Sequence, residues 1–244
     1  MAKIILDKNN IVEMPTLVLQ NRNFDTIGSI TDAHEFSYKE NFNSANEIPQ
    51  FIIYKYKNGK IHPLWDKLVD NKILYIPEFK ERFEISVSAS ESNLTQKTAT
   101  CTSLCESELS NIKLYDIEIN TETDILNPDY DEKFPTLFYR DPIDYPEKTE
   151  KEVKRASLLH RLLEKAPHYS IRYVQESLKK SEKVATFSIS DTDIYSELTG
   201  EIVQEFGCIF IFDSLKREIS VYDLYNTCGN NECKYRGDFS DKCP

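Results

Sequence analysis

Glycine is scarce: Gly28, Gly59, Gly200, Gly207, Gly229 and Gly237 are the only six in 244 residues. They are not spaced to form a dinucleotide fingerprint, a P-loop or a Gly-x-Ser-x-Gly elbow, which removes most common nucleotide and hydrolase chemistries. Long apolar runs are also missing, and no stretch approaches the ~20 residues that span a bilayer. The opening MAKIILDKNN is too briefly apolar, and charged too early, to read as a signal peptide. No run of basic residues occurs, since KEVKR and SLKKSEK are interleaved with Glu. With 30 Lys+Arg against 41 Asp+Glu the net charge is −11. A chain so acidic gains little from counterion release on nucleic acid and is repelled by anionic lipid, which argues against gripping DNA or binding a membrane.

Hydrophobic residues make up 40% and charged residues 29%, a balance typical of folded proteins. A chain of this length buries roughly 70% of its unfolded surface, enough for one large domain or two ordinary ones. Six cysteines are too few and too unevenly placed for a disulfide framework. Cys101 and Cys105 stand four apart in a segment that reads as a helix from Leu94 to Leu109. Their Cβ atoms would then be ~5–6 Å apart, too far to bridge, so both are expected to face a core. Cys208, inside CIFIF, is expected in the core as well.

The first half reads mainly as β. LVLQ, EFSY, FIIYKYKNGK with its Asn58-Gly59 turn, KILYIPEFKERFEISVSAS with Pro77 ending its first strand, and IKLYDIEI give a set of short strands. PLWDKLVD reads as a helical turn. Many short strands around one helix predict a small closed or half-closed barrel over residues 1–126. Residues 127–150 hold four prolines among alternating acids and read as an irregular linker. Residues 151–225 read as a smaller α+β domain. In KEVKRASLLHRLLEKA, Ala156, Leu158, Leu159, Leu162, Leu163 and Ala166 share one arc, opposite Lys154, Ser157, Arg161, Glu164 and Lys165, and Pro167 stops the helix. A second helix starts near Ser190 and Asp193 and ends at Gly207, with Ile194, Tyr195, Leu198, Ile202, Val203 and Phe206 on its apolar arc. CIFIFDSLKREISVYDLY reads as a hairpin turning near Asp213 to Arg217.

Little chemistry emerges from the residues. His34, His62, His160 and His168 are scattered, and His160, at the rim of its helix's apolar arc, reads as a structural or surface histidine. Asn127, Asp129 and Asp131 alternate like the start of a calcium loop, but Glu132 and Phe138 stand where that loop needs Gly and Glu, so the segment reads as a solvated acidic loop. No catalytic and no cofactor-binding residue is singled out. The one metal-like constellation is Cys228, Cys233 and Cys243, as Cys-x4-Cys-x9-Cys, with Gly229, Asn230 and Asn231 in the first gap. Thiolates so spaced suit a structural zinc in the full-length protein.

PLWDKLVDNKILYIPEFKERFEI, ASLLHRLLEKAPHYSI and IYSELTGEIVQEFGCIFIFDSLKREISVYDL, in that order, resemble the N-terminal region of tail-tip hub proteins. These are tail-associated baseplate proteins of long-tailed phages and prophages of Gram-positive bacteria, similar to the central hub of contractile tails. The resemblance implies a virion component assembled in the bacterial cytoplasm. It implies a homotrimer, when full length, whose barrels form a ring continuing the tail tube, joined to other tail proteins (tube or distal tail protein). DNA would pass through this ring without specific binding. It also implies that residues 226–244 begin a zinc-ribbon-like insertion. There the chain departs from the family pattern, with four residues instead of two between Cys228 and Cys233 and no fourth ligand before Pro244. The 244 residues would then be the N-terminal piece of a longer protein, with the second barrel wholly or largely missing from this piece. The expected fold class is thus α+β: barrel, smaller α+β domain and partial ribbon. The expected function is structural, not enzymatic. A peptidoglycan hydrolase and a zinc-dependent protein-binding adaptor stand as alternatives.

Overall fold

The structure, a computed structural model, describes residues 14–41, 44–88 and 95–224. The described residues divide into two compact units: those up to Ser107 with Asp213–Lys216, and Glu108–Phe212 with those from Arg217 on.

In the first unit the strands are β1 (Leu17–Gln20), β2 (Thr26–Ile30), β3 (His34–Lys39), β4 (Glu47–Tyr54), β5 (Tyr56–Lys57), β6 (Lys60–Ile61), β7 (Ile73–Ile76), β8 (Glu81–Ser88) and β9 (Gln96–Ser103). Seven of them form one antiparallel sheet in the order β2-β1-β7-β8-β9-β4-β3. Strands β2 and β3 occupy opposite edges, yet only Thr31, Asp32 and Ala33 separate them. Such a connector spans at most ~14 Å, whereas the edges of a flat seven-stranded sheet lie ~29 Å apart. The sheet therefore curls into a half-barrel. Alternation sets what faces inward: Phe83 and Ile85 of β8, Leu74 and Ile76 of β7, Leu17 and Leu19 of β1, Phe51 and Ile53 of β4. Pro49, which lacks an N–H, sits where the β4–β9 register slips between Ile48 and Phe51. The helical turn expected at PLWDKLVD is present, Leu68 N–H donating to Leu64 O (2.9 Å), and it adds Leu64, Trp65 and Leu68 to the core.

The helix expected over Leu94–Leu109 is corrected. Gln96–Ser103 is β9, and only Leu104–Ser110 is helical (α1). The β-branched Thr98, Thr100 and Thr102 alternate with inward Ala99, Cys101 and Ser103, and β4 and β8 supply a partner on each side. Cys101 and Cys105 are both buried, as expected of core-facing residues.

In the second unit, IKLYDIEI makes β10 (Lys113–Leu114) and β11 (Ile117–Ile119). They pair with β14 (Thr192–Asp193) and β13 (Phe187–Ile189), and take no part in the seven-stranded sheet. The helix α2 (Glu122–Ile125) follows. Residues 127–149 are irregular apart from one 3₁₀ turn at Pro142–Asp144, yet Phe138 is fully buried and its ring lies 4.6 Å from that of Phe206. The single helix expected from KEVKRASLLHRLLEKA is two: α3 (Glu150–Arg155), opened by a Thr149/Glu152 capping box, and α4 (Leu158–Leu163). Backbone bonds to the irregular segment cause the break, with Leu137 N–H donating to Ala156 O (3.1 Å) and Leu158 N–H to Leu137 O (2.9 Å). The second expected helix is likewise divided, into α6 (Ile194–Thr199) and α7 (Glu201–Phe206), after β12 (Ser170–Val174) and α5 (Glu176–Lys179). Gly200 stands at that break because a Cβ there would lie 2.7 Å from Ser196 O. Asp193, not Ser190, caps α6, accepting from Ser196 N–H at 2.8 Å. The expected hairpin is β15 (Cys208–Asp213) with β16 (Glu218–Asp223), and β12 adds to β16 in parallel. Cys208 is buried in the core, and burial pushes its thiol up to about 12.

Candidate functional site

In the first unit, polar chemistry collects where the curled sheet closes. His62, buried on the chain leaving β6, accepts from Leu64 N–H at Nδ1 (3.1 Å). That leaves Nε2–H to donate to Asp32 Oδ1 (2.9 Å), while Lys57 Nζ reaches Asp32 Oδ2 (3.1 Å). Burial pushes the Asp32 carboxyl up, but the hydrogen bonds from Lys57 and His62 outweigh it and hold the group below its ordinary value. The network pins the short connector between the two sheet edges. Beside it, β5 and β6 form a two-residue hairpin whose Asn58 and Gly59 both have positive φ (51° and 74°). Tyr56 and Ile61, paired across this hairpin, are 54% and 57% exposed. In sequence, Tyr54-Lys-Tyr-Lys reads only as a strand end. Its alternation of tyrosine and lysine is the available signal of an exposed contact surface.

In the second unit, two arginines hold the irregular segment. Buried Arg140 donates from Nε to Ala156 O (3.2 Å), and from its two terminal nitrogens to Tyr145 Oη (2.7 Å) and Pro135 O (3.0 Å). Its guanidinium also lies 3.9 Å from the Phe134 ring centre. Arg161, expected on the polar arc of a surface helix, instead donates to Glu118 O (2.7 Å) and Asp124 Oδ2 (3.3 Å). Asp124, Asp129 and Asp131 line a cleft of about 310 Å³ together with Lys148, Arg155 and Arg161. Its charges are matched within the cleft: Arg155 pairs with Asp129 at 2.7 Å and Lys148 with Asp131 at 3.3 Å. No group of three or more His, Cys, Asp or Glu among the described residues is placed to hold a metal ion.

One pair resembles a nucleophile and its base, since His160 Nδ1 lies 3.0 Å from Ser157 Oγ. Ser157 is fully buried, however, and the His160 ring stacks on Tyr139 at 5.2 Å. Burial, with Lys154 adding to it, pushes the imidazole down to about 4. The ring is neutral and packed, so of the two expected readings, structural or surface, it is the structural one. His168 is half exposed, with Nε2 3.8 Å from Glu108 Oε2. Glu108 is engaged by Arg217 through two bonds (2.9 and 2.7 Å) and by Tyr169 Oη–H (2.9 Å). The three expected zinc ligands, Cys228, Cys233 and Cys243, lie outside the described residues. No helix among the described residues is long and apolar enough to cross a membrane.

Comparison with known proteins bears on the arrangement as a whole. The chain shares its fold with a prophage tail protein. The relative is prophage tail protein gp18 from Listeria monocytogenes EGD-e, whose crystal structure superposes with a TM-score of 0.52 at 11% identity. The match covers 91% of this chain and 56% of that protein, so the chain spans little more than half its length. No protein-family profile matches the chain, and no curated protein does. At 11% identity the likeness speaks for the fold, not for the role of any residue.

Sequence reasoning missed Asp32 with His62, and it missed Arg140. Partners 30 residues apart leave no local pattern. Arg140 did have a local sign, because a lone arginine among Phe134, Phe138, Tyr139 and Tyr145 is placed for ring stacking.

Proposed function

We propose that this chain is a structural component of a phage tail, specifically the N-terminal region of a tail-tip hub. In this reading, copies of its half-barrel unit form a ring that continues the tail tube. The observation that carries it is the fold likeness to a prophage tail protein over 91% of the chain. The first unit's interior supports a role in shape and not turnover. Among the described residues Phe51, Phe83, Leu17 and Leu19 fill it, so in this reading any DNA passage runs between copies and not through one barrel. The acidic balance fits such a passage, since fixed negative charge keeps phosphates from adhering. The second unit would decorate the ring, with other tail proteins as partners and the virion as location.

Electron microscopy of the intact protein is expected to show closed rings of three copies, and gold-labelled antibody is expected to mark the tail tip of phage particles. Label elsewhere on the particle, or a lytic band when the purified chain is run in a peptidoglycan zymogram, would overturn the reading. A structural zinc on Cys228, Cys233 and Cys243 belongs to the same proposal. Metal analysis should find about one zinc per chain, lost in Cys228→Ser with the ring intact.

A further inference from the structure

The β5–β6 hairpin carries Lys55, Lys57 and Lys60 and no acid over residues 54–61, in a chain with a net charge of −11. Its lysines alternate along the chain with the exposed Tyr54, Tyr56 and Ile61, the last two paired across the hairpin. Lys55 Nζ lies 5.8 Å from the Tyr56 ring centre, so charge and aromatic surface are presented together. Three neighbouring exposed apolar side chains are more than the scattered single ones that soluble surfaces ordinarily carry.

The second unit carries the inverse pattern. Ile125 and Leu126, at the end of α2, are 51% and 77% exposed. Around them Glu122 and Glu132 are exposed, while the neighbouring Asp129 and Asp131 are already engaged by Arg155 and Lys148. The two surfaces thus match in both respects: apolar against apolar at the centre, lysine against carboxylate at the rim.

From this complementarity we infer that the hairpin of one copy docks on the α2 knob of a second copy of this chain. The contact joins two different surfaces and is therefore head-to-tail, the class that closes into a ring when the rotation permits. It rests on the ring reading and adds the contact that builds the ring. A nucleic acid is the weaker occupant, because Lys57 is already paired with Asp32 and three lysines face a large acidic excess.

The test is a photo-crosslinking residue replacing Tyr56 in the intact protein, irradiated in a mixture of ¹⁵N-labelled and unlabelled copies. Crosslinks are expected between labelled and unlabelled chains at residues 122–132. Lys60→Glu should raise the Kd of self-association at least about tenfold, and adding Glu132→Lys should restore it. Neither side chain is buried, so both variants are expected to fold. Crosslinks confined to one chain, to added DNA or to another protein overturn the inference, as does unchanged association in Lys60→Glu. If copies associate but the crosslinks fall elsewhere, this contact is wrong and the ring stands. If copies do not associate, contact and ring both fall, and the tail location is decided separately by the gold labelling.

Discussion

Replacing Arg140 by Met is expected to lower the stability of the second unit by about 3–5 kcal/mol, while leaving the first unit nearly unchanged. The side chain is 8% exposed and donates to buried Ala156 O and to the half-buried Pro135 O and Tyr145 Oη, so its loss leaves three acceptors without their charged donor. Ala156 O keeps a second donor in Leu137 N–H, whereas Pro135 O and Tyr145 Oη have no such backbone substitute among the described bonds. The guanidinium's seat on Phe134 is lost as well. Lysine should rescue less than half of the effect, because one ammonium cannot reach acceptors spread around a planar fork. Urea unfolding followed by two probes checks this. Fluorescence of Trp65, the sole tryptophan, reports the first unit, and circular dichroism reports both. Coincident shifts of both probes, or no shift, would refute the assignment.

The second large effect is one of pH. Glu81, at the start of β8, accepts from Asn46 Nδ2 (2.6 Å) and Tyr38 Oη–H (3.3 Å). Burial nevertheless pushes its carboxyl up to about 7, with Glu40 adding repulsion. Between its ordinary 4.5 and 7 the folded protein keeps this proton and the unfolded chain releases it. Stability from this group is therefore fully present below pH 4.5, falls as pH rises and levels off above 7, a loss of about 3 kcal/mol. Glu81→Gln retains the Asn46 donor and removes the charge. Its Trp65 transition should match the wild type near about pH 4 and exceed it by up to about 3 kcal/mol at about pH 8. Parallel stability curves across that range would show that Glu81 is ionised at little cost.

Much of the half-barrel is legible in the order of the amino acids. Pro77 ends β7 where expected, Asn58-Gly59 makes a two-residue turn, and the apolar arcs of the second half mark buried residues such as Leu158, Leu162, Ile194 and Leu198. These features rest on local rules that need no distant partner. Local rules fail where the partner is distant. Cys101 in Gln96–Ser103 stands at a helix-compatible spacing from Cys105, but strands β4 and β8 offer the segment ladders on both sides. The apolar arc over residues 156–166 is correct and the continuity of the helix is not, because the backbone at Leu137 claims Ala156 O and Leu158 N–H.

Residue type and spacing thus suffice for the strand-rich first half, the amphipathic faces of the second, the acidic balance and the lack of the common glycine-built sites. It takes the folded chain to bring β2 and β3 together across three residues, to turn Arg140 and Arg161 inward, and to place the segment around Phe138 in a core and not in a linker. These outcomes depend on which backbone and side-chain groups satisfy one another across long stretches of chain, and periodicity along a single segment carries no record of that.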